Sequence, residues 1–599
     1  MTASSLELLL AIPLCVLPQS ADEILPPAIP WDGASRGLVA APDDPWITPC
    51  EESGLLATPR YADTVAWLER LSGASDAIEI TRLGVSAEGR SIVMVIASGE
   101  GAFDAAAIRA SSRPTVFAHA GIHAGEIDGK DAGMMLLRDM TAGGSRRELL
   151  ERVNLLFIPI LNVDGHERFS AHGRINQRGP VEMGWRTNAR NLNLNRDFSK
   201  LDTAGARAVA GVLNEYEPDL YLDLHVTDGI DYQYDVTFGW VGPHGYSPSI
   251  AGWLDRELRP AVTHDLQAQG HIPGPLIFAI DNLDPKQGIV DWTGPPRFSN
   301  SYGDLRHVPS ILVENHSLKP YDQRVLGTYV LLESTLRCVA RESESLRRVI
   351  SLDRERRPAE VPIAWGPSAQ PDTIELLGMA HELFESPVSG GQAIRWLGRP
   401  QTMRVPYLRL NRPVATVRRP AAYWIPAAWS DVIGRLEAHG VELQRSEAAR
   451  EVRVAMDRIE SFELEQAPFE GRMRVGQLET ETEERTRLFP AGSARVATDQ
   501  PLGDLAVLLL EPGSEDSFLR WGFFHSILQR TEYFEDYALV SLGEHVLAAD
   551  PELKSEFEAK LAEDEAFAAD PGARLDWFYR RSPWYDDHYL LYPVGRELE

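Results

Sequence analysis

The chain has 599 residues, of which 44% are hydrophobic and 25% charged, an ordinary globular composition too long for a single hydrophobic core. A net charge of −29 and a pI near 5.0 argue against nucleic acid or anionic membrane as partner, since both call for clustered Lys and Arg. Three cysteines (Cys15, Cys50 and Cys338) contain no CxxC pair, which excludes a cysteine-rich zinc site.

Residues 1–22 hold an apolar run, Ser5–Leu17, of the length of an export signal and too short for a membrane span, although Glu7 interrupts it and no basic residue precedes it. Export to the periplasm or the cell exterior is the expectation. It would permit a Cys50–Cys338 disulfide, with two inert buried thiols as the simpler alternative. No later segment is long and apolar enough to span a bilayer. Residues 23–56, rich in Pro, Gly and Asp, read as an extended lead-in. A helical pattern begins near Tyr61, with Thr64, Val65, Trp67, Leu68 and Leu71 at roughly helical spacing. Strands follow at Ile78–Leu83 and Ser91–Ala97 across the turn Glu88-Gly89-Arg90. Strand 114–119, helix 129–141, strand 153–160, helix 203–214, strand 219–225 and strand 310–314 then alternate, before a helix from Gln323 to Val349. Such alternation predicts an α/β domain over 57–350, a mixed central sheet with helices on both faces. Pro358, Pro362, Pro367 and Pro371 mark 351–372 as a linker. Beyond it, runs such as Met403–Leu410 and Arg450–Met456 alternate apolar and polar, with one helix at Trp429–His439. They predict a β-rich α+β domain over 373–599, closed by an aromatic tail (Trp577, Phe578, Tyr579, Trp584, Tyr585, Tyr589, Tyr592) that packs onto it.

The chemistry gathers at strand ends. His123 and Glu126 form an H-x-x-E pair just past the apolar run Pro114–Ala118; His225 ends the run Asp219–Leu224; Glu314 ends Ser310–Val313. In an open α/β sheet ligands bind at that edge. Two imidazoles and a carboxylate make up the ligand set of a catalytic zinc that keeps one position for water, and a fourth group, Glu314, would serve as general base. His119 reads as a core or orienting histidine within its strand, His316 as a solvated loop residue, and His166 and His172 as loop residues without partners.

These segments resemble the zinc carboxypeptidases of the M14 (carboxypeptidase A) family over roughly residues 57–345. The resemblance rests on several motifs in the family's order. His123, Glu126 and His225 fall at its zinc ligands and Glu314 at its general base. Leu161-Asn162-Val163-Asp164-Gly165 resembles its NPDG turn, with Val163 in place of Pro. Asn191–Phe198 resembles its DxNRNF segment, which implies that Asn195 and Arg196 hold the substrate's terminal carboxylate. Trp185-Arg186 matches a pair whose Arg assists the oxyanion. A planar guanidinium suits a carboxylate in two parallel hydrogen bonds, and a fixed cation suits a developing oxyanion. Asn193 stands where the family has an Asp that orients a zinc-binding His, and Tyr302 is the candidate for its substrate-capping Tyr. The resemblance thus implies one zinc per chain and a peptide or amide substrate with a free carboxylate. Two rivals remain: a related amidohydrolase acting on an unusual amide or a peptidoglycan peptide, and a catalytically inactive peptide-binding protein.

Overall fold

The computed structural model describes residues 21–291 and 294–598. The export-signal segment, 1–22, lies outside the described residues except for Ala21 and Asp22. No helix among the described residues is long and apolar enough to cross a membrane.

Ten strands build the first half of the chain: β1 (Ile78–Val85), β2 (Ser91–Ala97), β3 (Thr115–Ala120), β4 (Asn154–Ile158), β5 (Leu220–Thr227), β6 (Val236–Gly239), β7 (Pro273–Gly274), β8 (Phe278–Ala279), β9 (Ile289–Asp291) and β10 (Ser310–His316). Eight of them form one sheet in the order β1-β2-β4-β3-β5-β10-β6-β7. The centre, β4-β3-β5-β10, is parallel, and β1, β2 and β6 pair antiparallel at its flanks. Every residue of β3 and β4 is buried, because a parallel sheet is covered on both faces; hence their unbroken apolar runs.

Side chains alternate across a strand. On β5, Leu224 faces the helix Asp128–Met140, where Gly129 and Gly133 let the helix backbone approach Leu224 and the ring of Phe157. A Cβ at either glycine would overlap those side chains. Tyr221 and Asp223 face the other way, against the helix Ser299–Leu305, whose Ser299 hydroxyl donates to Asp223. The mixed sheet therefore carries helices on both faces.

Two stretches depart from the sequence reading. The helix expected from Gln323 to Val349 is two, Tyr321–Arg341 and Ser343–Arg354. The stretch 351–372 is not a free connection: it begins inside the second helix, and Glu360–Gly366 pairs antiparallel with Arg412–Arg418. Pro362 is tolerated there because a two-stranded ribbon leaves one side of each strand without a partner, and the register shifts beside it. Cys50 and Cys338 are both free and buried; no disulfide joins them.

The remainder is β-rich, with helices toward its end. The long hairpin Asp372–Glu385 and Gln392–Arg409 does not stand apart: its second strand runs parallel to β9, giving the four-stranded sheet whose other edge is β8. A six-stranded sheet includes a second long hairpin, Arg450–Leu464 and Val475–Phe489. Within the tail, Trp577 and Phe578 pack with Phe557 and Phe567 in a small core of their own, while Trp584 stays 70% exposed.

Candidate active site

The loop after β3 turns through the bond from Glu126 N–H to His123 C=O (2.9 Å) and delivers both side chains over the carboxyl edge of the sheet. His225 and Glu314 come from adjacent parallel strands, where they are register partners. One donor atom each from His123, Glu126 and His225 lies within 4.8 Å of the others, and all three residues are buried. His123 Nδ1 is 3.1 Å from Glu126 Oε1, and His225 Nδ1 is 3.0 Å from Glu126 Oε2. The outer nitrogens are anchored: His123 Nε2–H donates to Asn193 Oδ1 (2.9 Å), and His225 Nε2 lies 2.7 Å from Asp223 Oδ2. Outer partners of this kind fix which nitrogen points inward and how basic it is. The donor set, the inward nitrogens and their anchors fit a divalent metal of zinc's preferences.

The charges follow from burial and neighbours. Burial pushes His123 down to about 4, so its ring is neutral, as a ligand must be. Burial would raise Glu126, but His123 and Arg174 beside it hold it well below the usual carboxylate range. Burial would lower His225, yet Asp223 and Glu314 overcome it and raise the ring well above its ordinary value, so a metal binding there must displace a proton. Glu314 is raised to about 8, first by burial, with Glu126 and Asp223 adding and His225 and Arg186 opposing. Its Oε2 has no hydrogen-bond partner among the described residues, an orphaned acceptor at the wall of a cleft.

That cleft has a volume of about 470 Å³. Besides the four residues above it is lined by Arg174, Arg186, Asn195 and Arg196, and its apolar wall is Val226, Phe278, Val290, Phe298 and Leu312. Arg186 is 42% exposed and sets Nη1 3.3 Å from both His123 Nδ1 and Glu126 Oε1. The Arg196 guanidinium lies over the Phe298 ring at 4.1 Å and donates to Asn195 C=O at 2.7 Å. Burial, with Arg186 adding repulsion, pushes Arg196 down to about 10. No carboxylate among the described residues is within ion-pair distance of it. Asn195 Nδ2 sits 3.3 Å from His225 Nε2, and its Oδ1 accepts from Ser299 N–H.

Seven of the eight residues singled out in the sequence thus meet around one cleft: His123, Glu126, His225, Glu314, Arg186, Asn195 and Arg196. Tyr302 does not. It is fully buried in the helix Ser299–Leu305, its ring against Phe198 and His439 and its hydroxyl bonded to His439 Nδ1 and Arg306. A side chain held that way cannot cap a substrate. Two of the other histidines also differ from their reading, whereas His119 is a fully buried strand residue as expected. His316 is buried, stacked on Tyr232 and 3.1 Å from Asp231; His166 is buried against Glu167.

Four residues at the site were not anticipated. Asp223 precedes His225 by two, the spacing that puts both on one face of a strand, so the sequence did hold that signal. Arg174, whose Nη1 donates to Glu126 Oε1 at 2.7 Å, comes from an irregular loop with no periodicity to betray it. Phe278 and Val290 belong to β8 and β9, too short to stand out as strands.

Residues 64–235 match the family model Peptidase_M14, zinc carboxypeptidase. Carboxypeptidase 2 of Trichophyton tonsurans is 23% identical over 430 residues, spanning 69% of this chain and 74% of that protein. An inactive metallocarboxypeptidase, ecm14, of Schizosaccharomyces pombe is 26% identical over 203 residues, 31% of this chain and 39% of its own. Among solved structures, a metallo-carboxypeptidase from Pseudomonas aeruginosa, in complex with (2-guanidinoethylmercapto)succinic acid, aligns over 48% of this chain and 70% of its own at 20% identity, with a TM-score of 0.35.

Proposed function

This chain is of the zinc carboxypeptidase family, M14, and from that premise we propose that it is an active zinc-dependent carboxypeptidase that removes the C-terminal residue of a peptide. The observation that carries the reading is the content of one cleft: a His/Glu/His donor set, a carboxylate with an orphaned oxygen, and a guanidinium lacking a carboxylate partner among the described residues.

His123, Glu126 and His225 would hold the metal, which when bound polarises a carbonyl and makes water acidic near neutral pH. Glu314 is raised to about 8 in the absence of the metal's charge; with that charge bound beside it the carboxyl would be ionised, accepting the water's proton at Oε2 and returning it to the leaving nitrogen. Arg186, at the mouth and fixed against Glu126, places positive charge where the carbonyl oxygen becomes anionic. Arg196 and Asn195 bind the substrate's terminal carboxylate, and the stack on Phe298 keeps the guanidinium plane in place. Glu126 accepts from Arg174, Arg186 and Val226 N–H, and an ionised carboxylate, with about four acceptor positions, can do so and still serve as a ligand.

The test is a single peptide offered with a free and with an amidated C-terminus, digested by purified protein with zinc and read by mass spectrometry. The proposal expects strong preference for the free form and release of one residue at a time. Equal cleavage of both forms would favour the amidohydrolase reading. No cleavage by zinc-loaded protein would favour the inactive one.

A further inference from the structure

The C-terminal half reaches the segment that carries Asn193, Asn195 and Arg196. The hairpin Arg450–Leu464 and Val475–Phe489 has a long connecting segment, which folds back at Phe469–Arg472. Phe469 and Arg472 exchange both backbone hydrogen bonds, at 2.9 and 3.1 Å, around Glu470 (φ 50°) and Gly471 (φ 77°). Two successive residues at positive φ make a type I′ turn, whose first position prefers Asn, Asp or Gly. Glutamate is a poor choice there on backbone grounds. A bulky non-glycine residue held in that region points to a task for its side chain.

The side chain has one. Glu470 Oε2 accepts from the backbone N–H of Asn193 at 2.7 Å. Asn193 Oδ1 in turn accepts from His123 Nε2–H at 2.9 Å and from Asn195 N–H at 3.0 Å, and Asn195 C=O accepts from Arg196 at 2.7 Å. One half-buried carboxylate from a segment 277 residues away in sequence therefore ties down the turn that carries all three groups. The loop is itself braced: Arg472 makes two bonds to Asp202 (2.7 and 2.8 Å), and Phe469 stacks on Trp521 at 5.9 Å. At Gly471 an added Cβ would lie 2.9 Å from the Leu192 side chain, so the turn is seated directly against the segment it holds.

We propose that Glu470 is a positioning residue of the active site, supplied by the C-terminal half, which sets Asn193, Asn195 and Arg196 for the substrate carboxylate and, through Asn193, the ring of His123 for the metal. The assignment rests on the proposed carboxypeptidase reading for its substrate part and on the donor set alone for its metal part. An ionised acceptor makes a shorter, stronger bond to a backbone N–H than a neutral one, and this is what Glu adds over Gln.

The experiment compares full-length wild type, Glu470→Ala and Glu470→Gln. Zinc affinity is read by chelator competition, kcat and KM on the free-carboxylate peptide, and Tm as a control. Glu470→Ala should weaken zinc about tenfold, the low end for groups that orient a ligand, and raise KM with a smaller change in kcat. Glu470→Gln should move both in the same direction by less. Unchanged zinc affinity and KM in Glu470→Ala, whatever its Tm, would overturn the proposal, since a merely structural turn lowers Tm alone. If Glu470→Ala does not fold, Glu470→Gln decides by the same two measurements. If wild type cleaves no peptide, the function reading fails, and zinc affinity alone still decides for Glu470.

Discussion

On the metal side of the cleft the protein satisfies itself. His123 donates from Nε2 to Asn193, both ring nitrogens of His225 face a carboxylate, and Glu126 accepts from Arg174 on one oxygen and from Val226 N–H on the other. On the substrate side it does not. Glu314 Oε2 has no partner among the described residues, and Arg196 finds a carbonyl and an aromatic face but no anion. A buried polar group without a partner is costly until a ligand supplies one, so this side gains most from substrate. The contrast separates a half that is set before any ligand arrives from a half whose charges wait for one.

That separation can be broken from either side. The largest effect should come from His225→Ala, which removes one of three donors: purified protein should lose its zinc, measured as metal per chain. A full equivalent retained would remove His225 from the ligand set. Glu314→Gln tests the other half, keeping zinc and fold while kcat falls roughly 10²–10⁴-fold, the usual worth of a general base. Near-normal turnover would take Glu314 out of the mechanism. Arg196→Ala should lose about 1.5–3 kcal/mol, roughly 10- to 150-fold in kcat/KM, on free-carboxylate peptides, and with it the preference over amidated ones. A variant that keeps the preference would move carboxylate recognition elsewhere. Asp223→Asn sharpens the comparison, because a prearranged metal side should feel the loss of an anchor: zinc should bind about tenfold more weakly by chelator competition.

The smallest effect is on metal-free stability. The carboxyl of Glu314 is raised to about 8 in the folded protein by burial and by Glu126, above its unfolded value. A raised carboxyl favours the folded state fully below the unfolded pKa, and that contribution is lost as pH rises toward 8. The Tm of chelator-treated Glu314→Gln should therefore overtake that of wild type progressively from about pH 5 to pH 8. A constant difference across that range would mean that Glu314 is not raised.

How much of this could be read from sequence depended on the kind of signal each residue leaves. The buried parallel strands were legible because two covered faces leave runs such as Val116–Ala118 and Leu220–Leu222 with little polar punctuation. The residues at their ends followed. β6 to β9 and the helix Ser299–Leu305 were missed because they are short and their packing is set by distant partners. Tyr302, offered by the resemblance as the capping Tyr, was misplaced for the same reason: its contacts with Phe198, Arg306 and His439, the last 137 residues on, show it turned into the core. Glu470 left no local trace at all, since its partner is a backbone N–H in another half of the chain.

The sheet that joins β8 and β9 to the hairpin Asp372–Glu385 and Gln392–Arg409 also has a consequence in time. Phe278 and Val290 line the cleft from β8 and β9, but β9 gains its outer neighbour only from Tyr407–Arg409. A nascent chain emerges at roughly 5–20 residues per second, so for on the order of ten seconds one edge of that wall is open. Open strand edges pair with whatever strand they meet. During synthesis, then, the cleft cannot close as soon as its own sheet is complete; it stays vulnerable to mispairing until the distant hairpin has left the ribosome.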